Sequence, residues 1–529
     1  MTLALYRRVF IVCAIGAAMG PATGQTQSLE GVFTRAERTN YAETSRYEDV
    51  MEFVRTVADA SPRIHFTTFG YTFEGRAMPL LVVGDVASAS PDDVRSSGKT
   101  RVYVQGNIHA GEVCGKEAMQ MMLRDLAQGK HADWLDSLVL LIVPIYNSDG
   151  NERVRLTNRG RQHGPVAGMG QRPNAQGYDL NRDHMKLDSP EARSLVRLMT
   201  EYDPHIAIDL HTTNGTRHAY HITYSPPLHP DTDERIDAML RGEWLPAAAR
   251  YLKDAEGWEA FYYGNGGRPQ DGVRQWRTFD YRPRFNNNYI GLRNRFAILS
   301  EAYSYATFEE RVIATLRFTE GAIQFAAENA SRIRQVIAEV DATPIAGSSH
   351  ALRAEPIRTG TVEILMGEVD EVRNPYSGRS MLERRDVITP ETMEDYGTFT
   401  PTETERVPSI YYVPAELTAV IDNLRDHGVV ISELYRDATG LTVEEFRITS
   451  NRTSEREFQQ HNERTLEGAY HETTVMLPAG TYLVSTEQPL GRLVFHLLEP
   501  RAADGLTNWN VLDQALEGAE VYPIRRSAN

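Results

Sequence analysis

The chain has 529 residues, too many for one ordinary hydrophobic core, so two or three domains are expected. Hydrophobic residues make up 41% and charged residues 24%, which is the range of globular proteins. The formal charge of −16 and the lack of a Lys- or Arg-rich block argue against nucleic acid as the main partner. We interpret the acidity as a solubility feature.

The first residues have the pattern of a secretory signal peptide. Arg7 and Arg8 precede a short apolar core at residues 9–20, and small residues follow at 22–24. This predicts a signal peptide over residues 1–24, and export to the periplasm or secretion after its removal. An uncleaved membrane anchor is the alternative, but the apolar run is short for a membrane span. No later segment is apolar enough to span a membrane, so we expect no stable membrane insertion.

Cysteine usage limits the possible metal chemistry. Of the two cysteines, Cys13 leaves with the signal peptide, so Cys114 has no intramolecular partner. The mature chain must then rely on its core or on a bound metal for stability, because it forms no disulfide. Any transition-metal site must be built from His and carboxylate side chains instead of thiolates.

Hydrophobic patterning predicts alternating helices and strands up to about residue 340. Continuous apolar strands separated by helices are typical of a sheet covered on both faces. The predicted fold class is therefore α/β, with a mostly parallel or mixed twisted sheet and helices on both faces. The predicted elements in chain order are a helix within 39–62, two strands within 63–85 joined near 74–76, a strand at 101–105, a helix ending near 126, an apolar run at 138–146, a helix at 189–202 with Ser189 as N-cap and Pro190 at its first position, strands at 205–210 and 296–300, and a helical region at 308–340.

A domain boundary is predicted where this pattern stops. Residues 341–356 lose periodicity and gather Gly, Ser and Pro, which divides the mature chain into residues 25–345 and 346–529. The second part has a predicted helix at 413–428, with Gly428 just past its end. Apparent strands lie at 429–435, 481–486 and 492–500. We expect a smaller C-terminal accessory domain that is α+β or β-rich.

Polar side chains follow several predicted strands. His109 comes shortly after the strand at 101–105, His211 directly after 205–210, and Glu301 directly after 296–300; Asn147 and Asp149 follow the apolar run at 138–146. Ligands of open α/β sheets bind outside the carboxyl ends of the strands. The pair His109 and Glu112 is a weak signal alone, but its position after a strand supports a functional role. We predict that the side chains following these strands share one site.

Two imidazoles and one carboxylate form a catalytic zinc set that leaves a position open for water. His109, His211 and Glu112 supply these groups, because Glu112 is close to His109 in sequence. Metal-bound water can attack a carbonyl, and a further carboxylate must take its proton and pass it to the leaving amine. Glu301 fits that role. Asp179 or Asp209 could hold the second nitrogen of a metal-binding His.

A substrate clamp is predicted near residue 180. Asn181 and Arg182 are adjacent in a segment with weak periodicity, and Arg159 and Arg161 lie upstream. An Arg fork binds a carboxylate through two parallel hydrogen bonds. Another Arg near the metal could stabilise the oxyanion of a tetrahedral intermediate.

Taken together, these motifs resemble the zinc carboxypeptidase family, the carboxypeptidase A-like metallopeptidases. The resemblance covers residues 40–320, and the surrounding sequence is most similar to a bacterial exported branch with an extra C-terminal domain. The matching motifs occur in the same order: EGR at 74–76, HAGE at 109–112, NSDG at 147–150, DLNRD at 179–183, DLH at 209–211 and SEAYS at 300–304.

The resemblance implies a role for each site residue. One zinc ion per chain would be bound by His109, Glu112 and His211, with Glu301 as general base and acid. Asp179 would orient His109, and Arg159 would stabilise the oxyanion. Asn181 and Arg182 would hold the substrate's terminal carboxylate. Tyr289, with Tyr281 as the alternative, would cover the substrate.

The predicted function is that of an exported zinc metallocarboxypeptidase. It would hydrolyse C-terminal peptide bonds by attack of zinc-bound water, and its partner would be a peptide with a free C-terminal carboxylate. One alternative is a zinc amidase on the same fold that acts on cell-wall peptides or N-acyl amino acids. A second is a binding protein without catalysis, which the presence of Glu301 argues against. The sequence indicates no oligomeric state.

Overall fold

The computed structural model describes residues 29–267 and 272–528. The predicted signal peptide at residues 1–24 lies outside the described residues. Within those ranges, every helix is too short or too polar to cross a membrane.

Strands form one large sheet and several smaller ones. The large sheet has the order β1-β2-β4-β3-β5-β10-β6-β7. In chain order the strands are β1 (Ile64–Tyr71), β2 (Ala77–Val83), β3 (Thr100–Gly106), β4 (Leu138–Val143), β5 (Ile206–Thr212), β6 (Ile222–Ser225), β7 (Ala260–Tyr262), β8 (Asn265–Gly266), β9 (Gln275–Arg277), β10 (Phe296–Ala302), β11 (Ser349–Ile357), β12 (Gly360–Arg373), β13 (Ser380–Tyr396), β14 (Thr398–Arg406), β15 (Ile410–Val413), β16 (Ser432–Glu433), β17 (Ala438–Thr453), β18 (Arg464–Leu477), β19 (Tyr482–Ser485) and β20 (Arg525–Ser527).

The centre of the large sheet is parallel. Strand β3 pairs in parallel with β4 and β5, and β5 pairs in parallel with β10. The pairs β1–β2, β2–β4 and β6–β10 are antiparallel, so the sheet is mixed. Because β3, β5 and β10 run in one direction, their carboxyl ends open on the same rim of the sheet.

Side chains alternate between two hydrophobic cores along each central strand. In β4, Leu138, Leu140 and Ile142 belong to one core, whereas Val139 and Leu141 belong to the other. Every residue of β3, β4 and β5 is buried, which explains the continuous apolar sequence of β4 and the apolar centres of β3 and β5. The sheet is therefore covered on both faces, and the predicted α/β class is confirmed.

Helices pack on both faces of the large sheet. The first core includes residues of Tyr47–Ala60, Cys114–Ala127 and Phe308–Glu328, and the second includes residues of Pro190–Glu201 and Gly491–Leu498. The α-helices are Arg35–Arg38, Tyr47–Ala60, Pro91–Ser96, Cys114–Ala127, Ser148–Glu152, Pro190–Glu201, Glu234–Met239, Leu245–Glu256, Asn286–Leu292, Phe308–Glu328, Ala330–Asp341, Thr418–Asp426, Gly491–Leu498 and Asp513–Leu516, with 3₁₀ turns at Ala132–Asp136 and Leu180–Arg182 and a π-helical turn at Leu240–Trp244.

The C-terminal region is rich in strands, as expected. Strands β17 and β18 form a long antiparallel pair within a six-stranded sheet, and β12 pairs with β13. The second core extends into this region through Val420 and Leu493, among others. The division at residue 345 therefore stays a prediction, since buried contacts cross it.

Two C-terminal strand predictions are wrong. Residues 492–500 were expected as a strand, yet Gly491–Leu498 is a helix in which every residue is buried. A short continuous apolar run fits a buried helix as well as a buried strand, so periodicity could not separate the two. The expected strand at 429–435 is reduced to Ser432–Glu433. The helical region at 308–340 divides into two helices at Asn329.

Candidate active site

The loop after β3 carries the first two candidate metal ligands. His109 and Glu112 lie between the end of β3 at Gly106 and the helix that begins at Cys114. This helix packs closely against β5, because a Cβ at Gly115 would lie 2.6 Å from the Leu210 Cβ. Glycine thus allows the loop to approach the strand that carries His211.

His109, Glu112 and His211 converge on one point. The Nδ1 atoms of His109 and His211 lie 2.9 and 2.8 Å from the two oxygens of Glu112, and 3.2 Å from each other. All three residues are buried. Two imidazole nitrogens and a carboxylate facing one point in a buried setting fit a divalent cation, which binds all three through lone pairs.

A second carboxylate lies behind each imidazole. The Nε2 atom of His109 is 3.0 Å from Asp179 Oδ1, and that of His211 is 2.8 Å from Asp209 Oδ2. Gln105 Nε2 in turn donates to Asp209 Oδ1 at 2.9 Å. Such carboxylate–imidazole pairs orient the ring and set the tautomer in metal sites.

Glu301 lies beside the three candidate ligands, but its pKa is shifted in the opposite direction from that of Glu112. Burial raises the pKa of Glu301 to about 7, and the negative charge of Glu112 adds to the effect. Burial would also raise the pKa of Glu112, but Arg159, His109 and His211 outweigh it and hold that pKa well below its usual range. Two neighbouring carboxyl groups with pKa values pushed apart are typical of a ligand and a general base.

A pocket of about 330 Å³ is lined by the three candidate ligands and by Glu301. The Oε2 atom of Glu301 is buried without a hydrogen-bond partner among the described residues. A buried oxygen of this kind is suited to a substrate or a water molecule. The pocket is lined by His109, Glu112, Arg159, Arg172, Asn181, Arg182, His211, Tyr263, Phe279, Phe285 and Glu301, among others.

Three arginines give the pocket a positive wall. Arg159 is paired with Glu112 through Nη2, and Arg172 Nη2 lies 2.8 Å from Asp179 Oδ2. The guanidinium of Arg182 lies 3.8 Å from the centroid of the Phe285 ring. Burial lowers the pKa of Arg182 to about 10, which still leaves this side chain charged at neutral pH. The adjacent Asn181 accepts the Asn286 N–H at 2.8 Å.

The structure does not bring Tyr289 to the pocket, which corrects the sequence interpretation. Tyr289 is 1% exposed and packs in the second core. Its hydroxyl is hydrogen-bonded to His427 Nδ1 at 2.8 Å and accepts from Arg293 Nη1 at 3.0 Å. The alternative, Tyr281, lines a separate pocket. The tyrosine in the active-site pocket is Tyr263.

Arg172 and Tyr263 are two pocket residues that the sequence interpretation missed. Both lie in segments without helix or strand periodicity, and no motif marks them. Conversely, Asn147 and Asp149 follow a central strand but do not line the pocket. Asp149 accepts from Thr72 and Arg76, and Asn147 caps the short helix Ser148–Glu152.

The sheet rim, the buried His–Glu–His group and the neighbouring carboxyl group define a metal-dependent hydrolase site. Residues 50–255 match the family model described as zinc carboxypeptidase, peptidase M14. This part of the chain is similar to the zinc carboxypeptidases, which supports the family resemblance and the enzyme class predicted from the sequence.

Proteins named as carboxypeptidases match either most of the chain or part of it. Carboxypeptidase 2 of Trichophyton rubrum is 25% identical over 519 residues, covering 94% of this chain and 89% of that protein. Carboxypeptidase D of Mus musculus is 28% identical over 207 residues, covering 36% of this chain and 15% of that protein. Among solved structures, a metallo-carboxypeptidase from Burkholderia cenocepacia has 19% identity and a TM-score of 0.40, covering 54% of this chain and 69% of that one.

Proposed function

We propose that this chain is an exported metallocarboxypeptidase that removes residues from the C-terminus of peptides. The observation that supports this most is the pocket, which combines a buried metal-ligand group, an adjacent carboxyl group and a positive wall. A peptide C-terminus presents a scissile carbonyl and a carboxylate a few ångströms apart. The pocket has a partner for each.

One zinc ion would be held in this pocket by His109, Glu112 and His211. When bound, zinc supplies Lewis-acid chemistry, lowering the pKa of water and polarising a carbonyl. Asp179, hydrogen-bonded to His109 Nε2, and Asp209, which lies 2.8 Å from His211 Nε2, would keep each Nδ1 facing the site. Arg159 Nη2 contacts Glu112 Oε1, the oxygen that also faces His109 Nδ1. When the cation is present, Arg159 must therefore move away from this oxygen or share it with the cation.

Glu301 would move the proton. In its charged form it accepts a proton from the attacking water, and in its protonated form it donates that proton to the leaving amine. Burial favours the protonated form of Glu301, whereas the charge of a bound cation would favour the ionised form, so the role uses both forms. The orphaned Oε2 atom is the acceptor that this role requires.

Asn181 and Arg182 would bind the substrate's terminal carboxylate. The guanidinium of Arg182 lies over the Phe285 ring, and its Nη1 donates to the Asn181 carbonyl at 2.6 Å, so Nη2 and Nε remain for two hydrogen bonds to a carboxylate. Arg159 and Arg172 are the candidates for oxyanion stabilisation, since both lie within reach of Glu112. Tyr263 replaces Tyr289 as the candidate that covers the substrate.

Matched substrates test this proposal. We expect the protein to cleave a peptide with a free C-terminus, and to lose most activity on the same peptide with an amidated C-terminus. A chelator should abolish the activity, and added zinc should restore it. Equal activity on both peptides would contradict the clamp, and selective cleavage of N-acyl amino acids or cell-wall peptides would identify the amidase instead.

Export and domain division are further parts of the proposal. The signal-like pattern of residues 1–24 supports export to the periplasm or secretion. We also propose a catalytic domain at residues 25–345 and an accessory domain at 346–529. The strand-rich composition of the second part supports that division.

A further inference from the structure

A second group of imidazoles and a carboxylate lies away from the active-site pocket. His229 and Asp231 are in the loop between β6 and the helix Glu234–Met239, His350 is near the start of β11, and His496 is in the helix Gly491–Leu498. Residues far apart in sequence therefore meet at one place. The three histidines are buried, and Asp231 is nearly so.

Two imidazoles face one oxygen of Asp231, and a third imidazole lies next to it. The Oδ2 atom of Asp231 lies 2.7 Å from His496 Nε2, 3.3 Å from His350 Nδ1 and 3.9 Å from His229 Nδ1. The rings of His229 and His496 are 4.4 Å apart at a steep angle, as around a shared centre. Candidate ligand atoms of His229, Asp231 and His496 all lie within 4.8 Å of one another.

Hydrogen bonds do not satisfy every imidazole nitrogen of this group. His350 Nδ1 is buried and has no hydrogen-bond partner within residues 29–267 and 272–528. The Asp231 N–H donates to His229 Nδ1, so Nε2 is the nitrogen of His229 that remains for a cation. The Asp231 carboxylate is held in place by the Ala351 N–H at 3.0 Å. Buried imidazole nitrogens without a partner are costly unless a ligand binds there.

The active-site group provides a comparison within the same molecule. There the separations between ligand atoms are 2.8, 2.9 and 3.2 Å, and the family is zinc-dependent. The second group has separations of 2.7 and 3.3 Å for two of its pairs and 3.9 Å for a third. From this geometry we infer that His229, Asp231, His350 and His496 bind a second transition-metal ion.

Zinc is the ion that best fits these donors. Three imidazoles and a carboxylate provide four protein ligands, the number that fills a tetrahedral zinc site. Thiolate ligands are absent from the group, and hard cations such as Mg²⁺ and Ca²⁺ favour all-oxygen sites. With the ion in the active site, the chain would bind two zinc ions instead of the single ion expected from its sequence.

The second ion would join the two parts of the chain. His229 and Asp231 precede residue 345, whereas His350 and His496 follow it. The same loop and helix are also joined by Arg492, whose Nη2 donates to Asp233 Oδ2 at 2.9 Å. A metal ion held by all four residues would fix the C-terminal region against the sheet, and its free energy of binding would add to that of folding.

Metal content of the full-length protein tests the inference. Protein loaded with zinc, freed of excess by gel filtration and analysed by mass spectrometry should contain two zinc ions per chain. The variants H211Q and D231N should each contain one, and the double variant none. The control variant H221N, which changes a buried imidazole outside both groups, should keep two. One ion in the wild type and none in H211Q would overturn the inference.

Thermal unfolding gives a second readout that does not depend on activity or on the folding of D231N. In H211Q, which lacks an active-site ligand, added zinc should still raise the Tm and a chelator should lower it. The spectrum of Co²⁺ bound to H211Q should show the strong visible absorption of a four-coordinate site. A Tm of H211Q that does not respond to zinc, with no Co²⁺ absorption, would show that the group is only hydrogen-bonded.

Discussion

Glu301 and His211 occupy paired positions on the adjacent parallel strands β10 and β5. This register places a proposed general base directly beside a proposed metal ligand without any loop between them. Strand β10 is also paired with β6 on its other side, so the position of Glu301 is fixed from both edges. The spacing of the two groups is therefore a property of the sheet, and it is present before any substrate binds.

Replacing Glu301 by Gln tests the division of roles between the two carboxyl groups. The E301Q variant should keep its active-site zinc, because Glu301 is not one of the three ligands. Its kcat/KM should fall by about 10²–10⁴-fold, the usual contribution of a general base. Peptide hydrolysis and zinc content measured on the same preparation check this. Loss of the metal in E301Q would instead make Glu301 a ligand.

Replacing Arg182 by Met tests the carboxylate clamp. Methionine can still pack on the Phe285 ring, but it offers no donors to the substrate. We expect R182M to lose about 10²-fold or more in kcat/KM on free-acid peptides, since a charge-assisted hydrogen bond is worth about 1.5–3 kcal/mol and two are removed. The slow hydrolysis of amidated peptides should change little. The exposed Arg161 supplies the control, and R161M should match the wild type on both substrates.

Gly115 tests the packing that positions the metal-ligand loop. A methyl group here would lie 2.6 Å from Leu210 Cβ on the strand that carries His211. The G115A variant should lose about 1–3 kcal/mol in free energy of unfolding, the usual cost of overpacking. Its affinity for zinc should fall as well. A methyl group at Gly242 would meet no atom within 4 Å, so G242A should be neutral or slightly stabilising in the same denaturant titration.

The buried imidazole of His205 should make the free energy of unfolding depend on pH. Burial, with the nearby charge of Arg101, lowers the pKa of His205 from 6.5 to about 2. Below pH 6.5 the unfolded chain gains a proton that the folded chain does not, so the free energy of unfolding falls as the pH falls from 6.5 towards 2. The slope from this residue is about 1.4 kcal/mol per pH unit.

The variant H205N isolates this effect. Asparagine can still accept the Arg101 N–H that His205 Nδ1 accepts at 3.0 Å, but it does not titrate. Between pH 6 and pH 4, urea titrations should give a shallower loss of stability for H205N than for the wild type. H471N, which changes an exposed histidine, serves as the reference and should follow the wild type. Identical slopes for H205N and the wild type would contradict the prediction.

The sequence was sufficient where local patterns determine structure. Continuous apolar segments identified the central strands, and Ser189 and Pro190 marked a helix start that the structure reproduces. Side chains at or just past the carboxyl ends of β3, β5 and β10 meet because parallel strands share a rim. Gly428 ends its helix with a φ of +81°, as its position predicted.

The sequence was insufficient where contacts between distant segments determine which residues reach a site. No local motif separates Tyr263 from Tyr289, and only the path of the chain places the first in the pocket and the second in the core. Arg172 reaches the site through a loop without periodicity. His350 and His496 approach Asp231 from segments more than 100 residues away, so no spacing rule links them. Such contacts depend on tertiary packing, which a pattern of neighbouring residues does not encode.

Anomalous X-ray diffraction at the zinc absorption edge tests the central claim most directly. In crystals of the zinc-loaded protein, we predict a peak about 2.0–2.2 Å from His109 Nδ1, His211 Nδ1 and an oxygen of Glu112, with Glu301 outside bonding distance. A peak bonded to Glu301, or the absence of a peak among the three ligands in protein that cleaves peptides, would contradict the account.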